Sequence, residues 1–251
     1  MPSLALLGRP ILTADDGAIV TGRPAQRHCL ALLSLLAVER RGLSRDRVIA
    51  YLWPEGDERA GRHRLSVTLH VLRQRLGEDT IGTWGDGLAL EPWRWEVDAW
   101  RLEDAVARGD FGEAREVYGG TPLDGFYLRG APAFEQWLEQ WRDRVARRYL
   151  AVLDALALEA ERGGDLEARV AWRQEIVARD PCSSTATLGL MRALAGAGRL
   201  EAALRSARAY TFAVREEFGL EPDPAVLDCA RAFAHPRLPV PDPGAAPGFT
   251  G

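Results

Sequence analysis

The chain has 251 residues, 47% of them hydrophobic and 27% charged, with a formal net charge of −4. This is the make-up of a globular protein of one large domain or two smaller ones. No apolar run approaches the ~20 residues of a membrane-spanning helix, and "MPSLALLGRP" lacks a signal-peptide layout, so a cytoplasmic protein without membrane contact is expected.

Residues 1–22 alternate weakly as "LALLG", a turn at "ADDG" and "AIVTG", which predicts a short antiparallel β-unit. A helix follows in "RPAQRHCLALLSLLAVERRG", with Pro24 suited to its first turn and Gly42 to its exit. A second, shorter helix is predicted in "LSRDRVIAYLWPEG". Ser44 is its natural N-cap and Pro54, which lacks an amide, its stop. Asp57 and Glu58 open a third helix at the positive end of its dipole, and Gly77 closes it.

This third helix sets the functional question. Leu65, Leu69, Leu72 and Leu76 step by four, three and four and so share one narrow face. At ~100° per residue the opposite side carries Arg59, His63, His70 and Gln74, flanked by Ser66 and Arg73. Residues 57–76 hold five Arg, Arg62 among them, against two acids, whereas residues 1–98 as a whole hold 13 Arg against 13 acids. A local basic element on a neutral half is the electrostatic footprint of nucleic-acid binding.

Next come "TIGTW", "GDG" and "LALEP", a hairpin around a Gly-Asp-Gly turn, and "WRWEVD", a possible further strand. Helices followed by a hairpin form the winged-helix plan, in which the third helix enters the major groove. From Ala99 the pattern is helical almost throughout, interrupted by the Gly/Pro-rich loop "TPLDGFYLRGAP". "GDLEA" at Gly164 and "GRLEA" at Gly198 lie 34 residues apart, with a looser copy, "GDFGEA", at Gly109. That period is the tetratricopeptide signature. Such helical hairpins stack and offer a concave face to macromolecular partners. The tail "HPRLPVPDPGAAPGFTG" reads as a flexible Pro/Gly-rich linker.

In this order, "LWPEGDERAGRHRLSVTLHVLRQRLG", "LDGFYLRGAPAFEQW" and "GLMRALAGAGR" resemble the SARP type of bacterial transcriptional regulator over roughly residues 3–234. The resemblance implies a response-regulator-type winged helix joined to a helical bacterial transcriptional activation domain. It implies base and phosphate contacts from His63, Thr68, His70 and Arg73; Thr68 rests on the resemblance alone. It also implies activation through RNA polymerase holoenzyme, and two copies in tandem on direct-repeat DNA. The wing departs from the family pattern. Trp84 stands where an Arg is usual, Leu88 where a Tyr is usual, and Asp86 adds a carboxylate that phosphate repels.

Competing chemistry finds no support in the residues. Cys29, Cys182 and Cys229 form no metal pattern and read as small hydrophobes. His63 and His70 have no third ligand at metal spacing, Ser44 has no nucleophile elbow, and there is no phosphate loop or HExxH. Trp84, Trp93, Trp95 and Trp100 are expected to bury against the helical domain rather than to stack single strands.

The reading is therefore a mainly α protein, not an enzyme, without cofactor or metal. A winged helix with a small β-unit and hairpin wing (1–98) precedes a tetratricopeptide-like activation domain (99–235) and a flexible tail (236–251). Its function is sequence-specific binding of double-stranded DNA and regulation of transcription, with RNA polymerase and a second copy of the chain as partners. The DNA contacts are Arg59, Arg62, His63, Ser66, Thr68, His70, Arg73 and Gln74. The alternative is a protein-interaction module whose winged helix no longer reads DNA, as the N-terminal part of a longer signalling protein.

Overall fold

The structure, a computed structural model, describes residues 1–23 and 26–234; Pro24 and the tail 236–251 lie outside them. The protein is mainly helical and forms two compact units, the first spanning Met1–Val152 and the second beginning at Leu153. No helix among the described residues is long and apolar enough to cross a membrane.

The first unit opens with β1 (Ser3–Ala5) and β2 (Ile11–Thr13), paired antiparallel with Leu4 opposite Leu12. The chain reverses between Ala5 and Ile11 to pair these strands and turns again at "ADDG" as predicted, where Gly17 N donates to Ala14 O at 2.9 Å and Val20 N to Leu12 O at 2.8 Å; beyond that turn Thr13 and Ile19 form an isolated antiparallel bridge and not a further strand. The Asp98 carboxylate accepts the amides of Leu6 and Leu7, at 2.9 and 2.8 Å for its two oxygens on Leu6, and takes those residues out of the strand ladder.

Helix α1 (Arg27–Val38) is buried from Cys29 to Ala37, as its apolar run demands. A short β3 (Leu43–Ser44) leads into α2 (Arg45–Leu52), where the Ser44 hydroxyl accepts the Arg47 amide at 3.3 Å. Helix α3 (Glu58–Leu76) starts on an Asp57 cap and ends at Gly77, whose φ of +108° suits glycine. The wing is β4 (Ile81–Trp84) and β5 (Gly87–Leu90), joined by Gly85 and Asp86. Gly85 has the positive φ that a two-residue hairpin turn requires at its first position. Strand β5 also pairs with β3, giving the order β3-β5-β4, and a two-residue β6 (Glu96–Val97) runs parallel to β1.

Helices α4 (Asp98–Arg108) and α5 (Phe111–Val117) follow. The loop after them is bound to the first sheet by Leu123 N donating to Leu6 O and Gly8 N donating to Thr121 O. Leu123 has φ +50°, the sole positive value for a non-glycine among the described residues. Arg142 holds that conformation, its guanidinium donating to the carbonyls of Pro122 and Leu123 at 2.9 and 2.8 Å. Arg142 lies on the long α6 (Pro132–Gly163), one helix where the sequence allowed one or two.

The tryptophans divide. Trp95 is buried within the winged helix, its indole donating to Thr80 O at 2.9 Å, and Trp100 donates to Ala37 O at 2.6 Å. Trp84 and Trp93 are exposed, so neither buries as expected.

The second unit adds α7 (Leu166–Arg179), α8 (Ser184–Gly196), α9 (Leu200–Phe218) and α10 (Pro224–Ala234) to the end of α6. Val170, Leu190, Leu194, Tyr210, Val214 and Val226 form its core. The repeat is visible atom by atom. Gly109, Gly164 and Gly198 all sit in the left-handed region, at φ +75°, +74° and +73°. Each is followed by a residue whose amide returns to the carbonyl five positions back: Asp110 to Ala105, Asp165 to Ala160 and Arg199 to Leu194. These are helix C-terminal caps of one kind, used three times.

Candidate nucleic-acid interface

Leu65, Leu69, Leu72 and Leu76 of α3 are all buried, and they fix which side of the helix faces out. Helix α2 crosses α3 at Gly61, where a β-carbon would meet Cγ2 of Ile49 at 2.5 Å. This contact needs glycine, and it leaves the outer face of α3 uncovered.

On that face Arg59, Arg62, His63, Ser66, His70 and Gln74 are all exposed. The Ser66 hydroxyl donates to Arg62 O at 2.9 Å and keeps its lone pairs for a donor outside the protein. Arg59 has no partner among the described residues, whereas Arg62 is engaged. Its guanidinium pairs with Glu58 one turn earlier and with Asp46 of α2 at 3.5 Å.

Two expected contacts depart from this face. Thr68 is 8% exposed and its hydroxyl donates to Arg64 O, since it lies within the arc buried against the core. Arg73 is half-buried and its Nη2 donates to Ile81 O at 2.8 Å, so its charge serves the root of the wing. Conversely, Val67 is 45% exposed on the outward arc. Sequence reasoning passed over it because a valine carries no polar signal, although its angular position beside His63 and His70 was available.

Beside α3, Arg45, Ser66, His70, Arg73 and Glu78 line a cleft of about 260 Å³. Arg45 N donates to Asp86 O at 3.0 Å, which fastens the wing tip to the start of α2. The wing carries no basic residue at its tip. Trp84 instead lies back over Gly42 and Gly87, whose missing β-carbons make room for its ring, and Leu88 is fully buried. The face thus combines a central strip of donors and acceptors, one apolar side chain, and basic residues toward its edges. That composition suits base edges in a groove with phosphates alongside.

The sequence profile described as "Bacterial transcriptional activator domain" matches residues 97–232. No curated protein matches the chain. Among solved structures the fold is similar to that of Mycobacterium tuberculosis EmbR, determined in complex with a low affinity phosphopeptide. The TM-score is 0.66 at 20% sequence identity, covering 93% of this chain and 65% of EmbR. This chain thus spans just under two thirds of that structure, and the likeness is one of fold.

Proposed function

Because the chain belongs to the bacterial transcriptional activator domain family and is a regulator of the SARP type, we propose that it activates transcription by binding duplex DNA sequence-specifically, with α3 in the major groove. The observation that carries this reading is the outward face of α3. Arg59, His63, Ser66, His70 and Gln74 stand exposed there, held in place by four buried leucines behind them. An α-helix about 10–12 Å across fits a major groove about 12 Å wide. In this reading Arg59 neutralises phosphate, and the histidines, Ser66 and Gln74 face base edges. The protein acts in the cytoplasm, and no cofactor or catalytic step is involved.

The second unit is proposed to contact RNA polymerase holoenzyme or a second copy of the chain. Support comes from a groove of about 450 Å³ on α9 and α10, lined by Leu204, Ala207, Phe212 and Leu227 with Arg208 beside them. Phe212 is 68% exposed, a large apolar side chain with nothing over it in the isolated chain.

The test is selection of genomic DNA fragments at two salt concentrations by the protein and by its Arg59→Ala/His63→Ala/His70→Ala variant. Selective, salt-sensitive enrichment that the variant loses is the expected result. Equal enrichment by both proteins sinks the reading. It would favour the protein-interaction alternative, for which Asp86 in the wing and the ion-paired state of Arg62 speak. For the second unit, Phe212→Asp is expected to abolish activation in a reconstituted transcription assay while leaving DNA binding unchanged.

A further inference from the structure

Nine residues separate Arg64 from Arg73, which puts them half a turn apart around α3 at ~100° per residue. Arg73 faces the wing, and Arg64 faces a second cleft on the opposite flank. This cleft, of about 290 Å³, is lined by His28 of α1, by Leu52, Trp53 and Glu55 at the end of α2, by Arg64, and by Arg129 and Gly130 of the loop before α6. Its aromatic wall is ordered. The His28 imidazole stacks on the Trp53 indole with centroids 5.3 Å apart and planes 3° from parallel. Burial, and next the charge of Arg64, hold His28 below the usual histidine range, against a hydrogen bond to the Leu52 backbone.

The charge in this cleft is not compensated. Neither the Arg64 nor the Arg129 guanidinium has an ion-pair or hydrogen-bond partner among the described residues, in a protein where Arg62, Arg94, Arg142 and Arg173 all do. Glu55, the single carboxylate of the lining, pairs with neither. Two permanently charged, forked donors and an imidazole around one concavity match the tetrahedral oxygens of a phosphoryl group. A helix that fills the major groove has a phosphate strand along each flank. Arg45 lies on the wing flank, and Arg64 and Arg129 lie on the other.

We propose that the cleft of His28, Arg64 and Arg129 is a phosphoryl-binding site, occupied in the DNA complex by a backbone phosphodiester on the flank of α3 away from the wing. Its occupant rests on the DNA-binding reading; the phosphoryl chemistry does not. A free phosphorylated small molecule is the other source of the same group.

The test uses the full chain and its Arg64→Gln/Arg129→Gln variant; the fold should survive because neither guanidinium holds another residue. Inorganic pyrophosphate is titrated while the His28 ring and Trp53 indole resonances are followed by NMR. Saturable shifts in the protein, absent from the variant, are expected. In parallel, DNA affinity is measured against salt. Loss of two phosphate contacts is expected to weaken binding on all sequences alike and to reduce the slope of log K against log salt by about 1.8. Pyrophosphate binding lost in the variant with DNA binding unchanged would keep the site and assign it to a free phosphorylated ligand. Pyrophosphate binding by a protein that selects no DNA would keep the site and overturn the DNA reading alone. If the variant matches the parent in both assays, the proposal is wrong.

Discussion

Arg73 donates from Nη2 to the carbonyl of Ile81 at 2.8 Å, joining the last turns of the outward-facing helix to the first strand of the wing. A residue that looks like a phosphate contact in sequence is, in the fold, a brace. Arg73→Ala is expected to lower stability by about 1 kcal/mol, the typical net worth of such a bond. It should also reduce the salt dependence of DNA binding less than Arg59→Ala does. Urea unfolding and salt titrations of both variants measure this; equal loss of slope would return Arg73 to the contact surface.

Gly61 against Ile49 gives a packing prediction. Gly61→Ala gains up to about 1 kcal/mol of helix propensity but forces a β-carbon to 2.5 Å from Ile49 Cγ2. Overpacking of this kind costs about 1–3 kcal/mol, so net destabilisation is expected. The cost should shrink in an Ile49→Ala background, which opens the contact. Additive effects of the two substitutions on the urea midpoint would show that the contact does not limit the approach of α2 and α3.

Val67 carries a prediction about sequence choice that depends on α3 reading DNA. A valine exposed among His63, Ser66 and His70 can bury the C5-methyl of a thymine. Replacing that thymine by deoxyuridine in the selected operator removes about one methyl of burial, ~0.8 kcal/mol or near fourfold in affinity. Val67→Ala should erase the difference. A fourfold penalty that persists in the variant would place the methyl against another residue.

His28 links stability to pH. Its folded pKa lies below its ordinary value of 6.5, chiefly through burial and then through Arg64. Below pH 6.5 the unfolded chain takes up this proton more readily than the folded one. The contribution is therefore complete above that value and is lost as pH falls through the folded pKa. His28→Gln should flatten the stability profile in this window. A profile unchanged by the substitution would mean that other groups govern it.

The sequence made part of this structure legible and hid another part for identifiable reasons. The leucine stripe of α3, the caps at Ser44 and Gly77, the Gly85–Asp86 turn and the repeated glycine turns are local patterns, set by helical periodicity or by backbone angles that glycine tolerates. What stayed hidden depends on pairs far apart in the chain. Asp98 binds the amides of Leu6 and Leu7 across more than 90 residues and so ties the link between β1 and β2 to the start of α4. The burial of Thr68 against exposed Val67 was a question of angle: the two are neighbours in sequence but fall on either side of the edge of the buried arc. Arg64 was counted as charge without a place, because its cleft is completed by a loop 65 residues later.

The pairing of Arg62 with Glu58 and Asp46 bears on how such a protein would search a chromosome. A side chain already satisfied by its own carboxylates gains little from any passing phosphate, because it must first release them. On a random stretch of DNA that exchange is close to even, so residence there is short. At a site where the rest of the α3 face fits, Arg62 is brought to the phosphate by neighbours that have already docked, and the exchange can go through. The two acids would then act as a filter on dwell time, and Glu58→Gln/Asp46→Asn should lengthen residence on non-cognate DNA more than on the operator.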